Sequence, residues 1–252
     1  EKYLTDNLAI DITFDLVLKE ELLRAELISA PLTILILLFV FGTVVSASLP
    51  ALSGIYTVIA AVGIIHGLTY IVDDLTVYAV NIVSLLGIGL SVDYSLFIVN
   101  RFREEMGRGH DKRIAIAMTS ATAGRAILFS GLTVVAGLTG MLFFENTGLP
   151  SLGWGGICAT LVALTSSVIL LPSILAILGD RINSGRVPLG LSTEVADDGF
   201  WYDLAKRVMS KPLSFLVPSV LILLVAGAPF LQAEWGITSW KALSPDNEAR
   251  SG

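Results

Sequence analysis

Residues 81–106 read NIVSLLGIGLSVDYSLFIVNRFREEM. From Asn81 to Asn100 the run is apolar except for serines, Asp93, Tyr94 and the two flanking asparagines, and it stops at Arg101-Phe102-Arg103-Glu104-Glu105. A bilayer core of about 30 Å is crossed by roughly 20 apolar residues in a helix. The run has that length, and its hydrophobicity is continuous rather than alternating. A membrane-spanning helix therefore fits it and a barrel strand does not.

The same reading extends along the chain. Apolar stretches of spanning length occupy residues 30–48, 53–72, 78–100, 126–144, 152–178 and 213–231. Of the 252 residues, 54% are hydrophobic and only 15% charged, against roughly 25% charged in soluble domains. Mean hydropathy is +0.78. This balance excludes disorder, rods and an ordinary cytosolic enzyme. A single cysteine, Cys158, excludes an intramolecular disulfide framework and a Cys-cluster metal site. The net charge of −6 argues against nucleic acid as a partner. No metal-ligand spacing, nucleophile–base pair or phosphate loop is present, so the chain does not read as an enzyme and calls for no cofactor.

Lys and Arg set the expected orientation. The connection after the third span carries Arg101, Arg103, Arg108, Lys112, Arg113 and Arg125, and that after the fifth carries Arg181, Arg186, Lys206, Arg207 and Lys211. The connections at Asp73–Asp74 and Glu145–Asn146 carry none. The positive-inside rule then places both ends of the chain outside. The opening EKYLTDNLAIDITFD is polar and acidic, with no signal-peptide pattern. Both ends read as cut pieces of outer segments, so a larger protein is expected. Residues 27–179 form one group of spans and 213–231 the last span. Between them, 180–212 is a linker with a candidate interfacial helix at Phe200–Met209 whose aromatics and basic residues suit headgroup level.

Asp93 is the acidic residue that stands well inside these spans. At 1.5 Å per residue it lies about 12 Å from Arg101 and about 30 Å from Asp73–Asp74. A carboxyl in hydrocarbon costs roughly 2.5–3.5 kcal/mol on insertion scales, so it is expected to face the bundle interior and find a partner. Desolvation then suits it to taking up and releasing a proton. Gly89 sits one turn earlier on the same face, open to another backbone. Tyr94 points about 100° away, toward a neighbouring helix. Ser84, Gly87, Ser91 and Ser95 make a second stripe of small and hydroxyl residues, the kind that packs membrane helices closely.

The segment GIGLSVDYSLFIVNRFREEMGRG, followed by TSATAGRAILFSGLTVV, resembles the fourth and fifth transmembrane helices of the mycobacterial membrane protein large (MMPL) family of the resistance–nodulation–division (RND) superfamily. The resemblance spans roughly residues 20–179. It implies an all-α membrane region that supplies six helices, the second to seventh, of a twelve-helix bundle. Residues 1–26 would close one periplasmic α/β porter domain and 232–252 would open another. It also implies proton-driven export of lipids or lipid-like molecules from a bacterial inner (plasma) membrane. Protons would be the coupling ion, relayed by Asp93 and Tyr94, with Gly89 and Ser91 packing the relay helix. A second Asp-Tyr helix elsewhere in the same polypeptide would face this one through Gly89, Asp93 and Tyr94. Implied partners are membrane lipids and the hydrophobic substrate, in a monomer or a trimer. A sterol-sensing or protein-translocation relative and a non-transporting scaffold are the competing classes. The adjacent Asp-Tyr with RFREE favours the exporter over the former, and a costly buried carboxyl argues against the latter.

Other residues take plainer readings. Arg101, Arg103, Glu104 and Glu105 are candidates for an inner-face gating cluster, or a stop signal at the headgroups. His66 is a candidate relay partner or a core histidine. Residues 111–122 read as an interfacial helix capped by Asp111, with Ile114, Ile116 and Met118 dipping inward. Pro172 is expected to bend the fifth span.

Overall fold

The computed structural model describes Arg24 and residues 27–72, 75–144, 148–187 and 200–232. Apart from Arg24 and Gln232, the expected porter-domain ends lie outside the described residues. So do the acidic connections at Asp73–Asp74 and Glu145–Asn146, and most of the linker. The chain divides into two compact units. Ala30–Thr193 holds the main bundle. The other unit contributes α8 (Phe200–Ser210) and α9 (Pro212–Gly227).

The main bundle is built from α1 (Leu27–Phe41), α2 (Val44–Leu68), α3 (Val77–Gly107), α4 (Lys112–Thr119), α5 (Arg125–Thr139), α6 (Leu149–Thr165) and α7 (Leu171–Leu178). No β-strand ladder occurs among the described residues, which makes this an all-α membrane fold. Among the described residues, five helical runs are long and apolar enough to cross a bilayer, and α1 is shorter.

The first two spans differ from the expected boundaries of 30–48 and 53–72. The break falls at Gly42–Thr43, where Gly42 adopts φ 64, a left-handed conformation natural to glycine. Pro50, near the expected boundary, lies inside α2 instead. The apolar run passes through Gly42–Thr43 without a charged residue, so hydropathy alone misplaces the turn.

The expected interfacial helix at 111–122 is not a separate element. Asp111 does cap it, accepting from the Arg113 amide at 3.3 Å. From there α4 continues through a wide π turn, Ser120–Gly124, directly into α5. Its packed face is also not the expected one. Ala115, Thr119 and Ala123 are buried, at i, i+4 and i+8, while Ile114 and Met118 are exposed and Ile116 is half-buried. Small side chains let this helix approach α3 closely.

Pro172 is accommodated by a second π turn, Ser166–Leu170, between α6 and α7. Proline cannot donate to the carbonyl one turn back, and its ring crowds that group. Widening the preceding turn relieves both problems and keeps the span continuous.

α3 lies at the centre, packed against α2, α4 and α6. Its inner face runs Ala79, Val83, Gly87, Ser91, Ser95, Phe102 and Glu105, with Tyr94, Ile98 and Val99 beside it. Glycines make the contacts close. A Cβ on Gly155 of α6 would collide with the Ala79 carbonyl oxygen and the Ile82 side chain on α3. A Cβ on Gly87 would stand 3.4 Å from Thr57 and 3.6 Å from Ala159.

Candidate functional site

Asp93 sits on the side of α3 that the bundle leaves open. Leu85, Gly89, Asp93 and Phe97 recur at every fourth residue and are all exposed, which places them in one row along the helix. Leu85 is 74% exposed and Phe97 63%. Nothing lies within 4 Å of a Cβ built on Gly89. Among the described residues Asp93 has no hydrogen-bond or ion-pair partner. The carboxyl expected to face the interior of the bundle is therefore centred on an apolar, uncovered stripe.

Tyr94 points the other way. It is buried in the apolar core with Ile98, Val99 and Phe102, and its hydroxyl has no protein partner among the described residues. One residue step, about 100° of helix, separates the two groups. Gly89 and Asp93 share the open face as read from sequence, and Tyr94 does not join them.

Directly behind Asp93 is a knot of hydroxyls. Ser53 and Ser91 lie 2.8 Å apart, Ser53 and Ser166 2.9 Å apart, and Thr57 donates to Ser91 at 2.9 Å. All four side chains are buried. They tie α2, α3 and the π turn of the 149–178 span together at the depth of Asp93. Ser91 was legible as a packing residue, but its partners were not, because they lie 34 to 113 residues away in sequence from the residues they bond.

The charged end of α3 holds two arrangements rather than one. Glu105 is fully buried and gathers Arg101 at 2.5 Å, Arg108 at 2.8 Å and His110 Nδ1 at 2.7 Å. Glu104 completes this network, 2.9 Å from Arg101 and 2.6 Å from Arg108. Arg103, grouped with them by sequence, takes no part. Its Nε donates to Asn183 Oδ1 at 3.0 Å and its Nη1 to the Phe41 carbonyl at 2.9 Å. Sequence reading missed Arg108 and His110. The signal was the spacing: Arg101–Glu105 and Glu104–Arg108 are i,i+4 pairs, and Glu105–Arg108 is i,i+3.

Arg103 reaches into a clasp. The turn at Gly42–Thr43 pairs with residues 185–187 as an isolated antiparallel bridge, Thr43 opposite Arg186. Val44 N–H donates to the Gly185 carbonyl at 3.0 Å and Val187 N–H to the Gly42 carbonyl at 2.9 Å. Ser46 adds a bond to the Ile182 carbonyl at 2.8 Å. The clasp fastens the α1–α2 turn to the end of the 149–178 span.

His66 lies apart from these groups. It is exposed on α2 with its ring edge-on to Tyr70 at 5.7 Å. Its neighbour Ile65 takes the buried position of that turn, so the described residues do not enclose His66 as expected of a core histidine. Among the described residues, no cluster of three His, Cys, Asp or Glu side chains could hold a metal ion.

Residues 10–215 match the sequence profile of the MMPL family. The chain belongs to the MMPL family. It is 34% identical over 236 residues to the mycolic acid-containing lipids exporter MmpL11 of Mycolicibacterium smegmatis, covering 93% of this chain and 25% of that protein. It is 34% identical over 253 residues to the trehalose monomycolate exporter MmpL3 of Mycobacterium tuberculosis, covering 90% of this chain and 27% of that protein. A putative membrane protein of Streptomyces coelicolor, SCO6666, is 34% identical over 232 residues, with 92% and 32% covered. The chain spans about a quarter to a third of the length of these relatives. Membership and the spanning-length helices among the described residues make this a segment of a membrane protein.

Proposed function

We propose that this segment is the proton-carrying half-bundle of an exporter of lipids or lipid-like molecules, driven by the proton-motive force, with Asp93 as the group that takes up and releases the proton. The observation that carries this reading is Asp93 itself, the lone charged residue within the apolar spans read from sequence, standing on the uncovered stripe Leu85–Gly89–Asp93–Phe97. A carboxyl at that depth is costly when ionised and unpaired. Its protonation state therefore changes how well the stripe packs against whatever covers it. A proton gains about 2.3 kcal/mol per 100 mV on crossing. Coupling that gain to transport needs a group that differs between two packed states, and Asp93 has that property.

The covering element in this account is a second, pseudo-symmetric helix in the remainder of the polypeptide, bearing its own intramembrane acid. Two carboxyls facing each other titrate as a pair. The hydroxyl knot behind Asp93 gives α3 a rigid back against which the pair can work. Tyr94 acts from the buried side, supporting the helix or the relay through its hydroxyl. The names of the relatives, exporters of trehalose monomycolate and of mycolic acid-containing lipids, support a long-chain lipid as cargo. The Lys/Arg distribution supports the Arg101–Arg108 end of α3 as cytoplasmic.

The test is lipid export by the full-length protein reconstituted in vesicles under an imposed proton gradient. Asp93→Asn is expected to insert and fold as wild type and to export nothing above background. Wild-type export by this variant would refute the proposal.

A further inference from the structure

We infer that Arg103 and Arg186, brought together by the clasp at the charged end of α3, bind the phosphate of an anionic phospholipid. The two residues come from segments 83 positions apart, and the fold fixes the Arg103 side chain and the Arg186 backbone at the same turn. Arg103 lies near the Phe41 ring, 5.8 Å from its centroid. It is oriented by two neutral acceptors, Asn183 Oδ1 and the Phe41 carbonyl. Arg186 is held through its backbone opposite Thr43, and its side chain is exposed. It is the charged group whose field acts on Arg103.

This juxtaposition is unfavourable by itself. Like charges repel, and the attraction that would offset them is missing within the chain. Among the described residues neither arginine has a carboxylate within ion-pair distance. The acids nearest Arg103 in sequence, Glu104 and Glu105, are committed to Arg101, Arg108 and His110, and Asp180, six residues before Arg186, forms no ion pair with it. A guanidinium has five N–H donors; Arg103 uses two of them. Five less two leaves three, enough for a forked contact to phosphate oxygens, the geometry guanidinium groups favour. Arg186 supplies the second charge.

Depth and surroundings select the source of that phosphate. Arg103 lies ten residues beyond Asp93, about 15 Å along the helix, which is headgroup level for a carboxyl near the bilayer middle. Exposed apolar residues flank the clasp, with Phe39 47% exposed on α1 and Val44 50% exposed on α2. They offer acyl chains a surface next to the arginines that free phosphate does not use. The site is independent of Asp93 and of what the protein transports.

The experiment is thermal unfolding of the full-length protein in detergent, titrated with phosphatidylglycerol, with phosphatidylcholine of the same chain length, or with inorganic phosphate. Phosphatidylglycerol is expected to raise the midpoint of the wild type above the phosphatidylcholine value. Arg186→Gln removes more than half of that difference, and Arg186→Lys retains most of it. Without lipid, Arg186→Gln unfolds no earlier than wild type, because the repulsion on Arg103 is relieved. An undiminished phosphatidylglycerol effect in Arg186→Gln would overturn the assignment. So would an Arg186-dependent rise of the same size with inorganic phosphate, which would make the site one for a free anion.

Discussion

At Glu105 a fully buried carboxylate holds two arginines and a histidine within 2.5–2.8 Å. Removing its charge leaves Arg101 and Arg108 facing each other with only Glu104 between them. Breaking a buried pair from one side is far more damaging than losing an exposed one. Glu105→Gln is therefore expected to lower the unfolding midpoint of the full-length protein well beyond Glu104→Gln, whose side chain is 34% exposed. Thermal scans of the two variants side by side check this, and equal midpoints would mean that Glu105 is not the hub. Asp93 presents the opposite case. Its chemistry was legible in the sequence because no other charge interrupts the spans. Its exposure was not, because a single helix with small residues on two faces does not tell which of those faces its neighbours cover. The separation of Arg103 from Arg101 was equally hidden. The RFREE run groups them, and only the fold brings Asn183 and the Phe41 carbonyl to one of them and not the other.

Among the helices, the α3–α6 contact is the tightest that bears on the site. Gly155 is the residue that permits it, since any Cβ there meets the Ala79 backbone, which cannot rotate away. Overpacking of this kind costs typically 1–3 kcal/mol, and a backbone obstacle puts it at the upper end. Gly155→Val is expected to reduce thermal stability by roughly that amount, about 3 kcal/mol. Gly137→Val, where a Cβ meets nothing within 4 Å, is expected to show little change. Most helices could be read from apolar run length alone. The turn at Gly42–Thr43 could not, because the run carries no charged residue at the break and a lone glycine and threonine are common within spans. The continuity of α4 into α5 was missed for the converse reason: Arg125 looks like a membrane boundary, yet the helix that starts at Lys112 runs past it without interruption. The π turn before Pro172 was announced by the proline but not in its form. A proline signals a lost hydrogen bond, and neighbouring packing decides between a kink and a widened turn.

For the whole molecule, two expectations concern what lies around this half-bundle. If a second helix covers the Asp93 stripe, Gly89 sits in the contact although it is open in the structure of this segment. Gly89→Leu in the full-length protein is then expected to abolish export while leaving insertion intact. Gly89→Ala is expected to be milder. Normal export by Gly89→Leu would place the covering helix elsewhere. Orientation is checked by cysteine labelling in a background with Cys158 and any other cysteine of the full-length protein replaced. With an impermeant reagent on intact cells, Gly148→Cys is expected to react and Ser184→Cys to be protected, and the reverse pattern would invert the topology. The central claim remains that protons move through Asp93 as lipid is exported. It is tested most directly by trapping a pH-sensitive dye inside vesicles containing the full-length protein and following lumenal pH as lipid export begins. The wild type is expected to show a proton flux that starts with export and scales with it, and Asp93→Asn to show none. An equal, export-linked flux in Asp93→Asn would contradict the account.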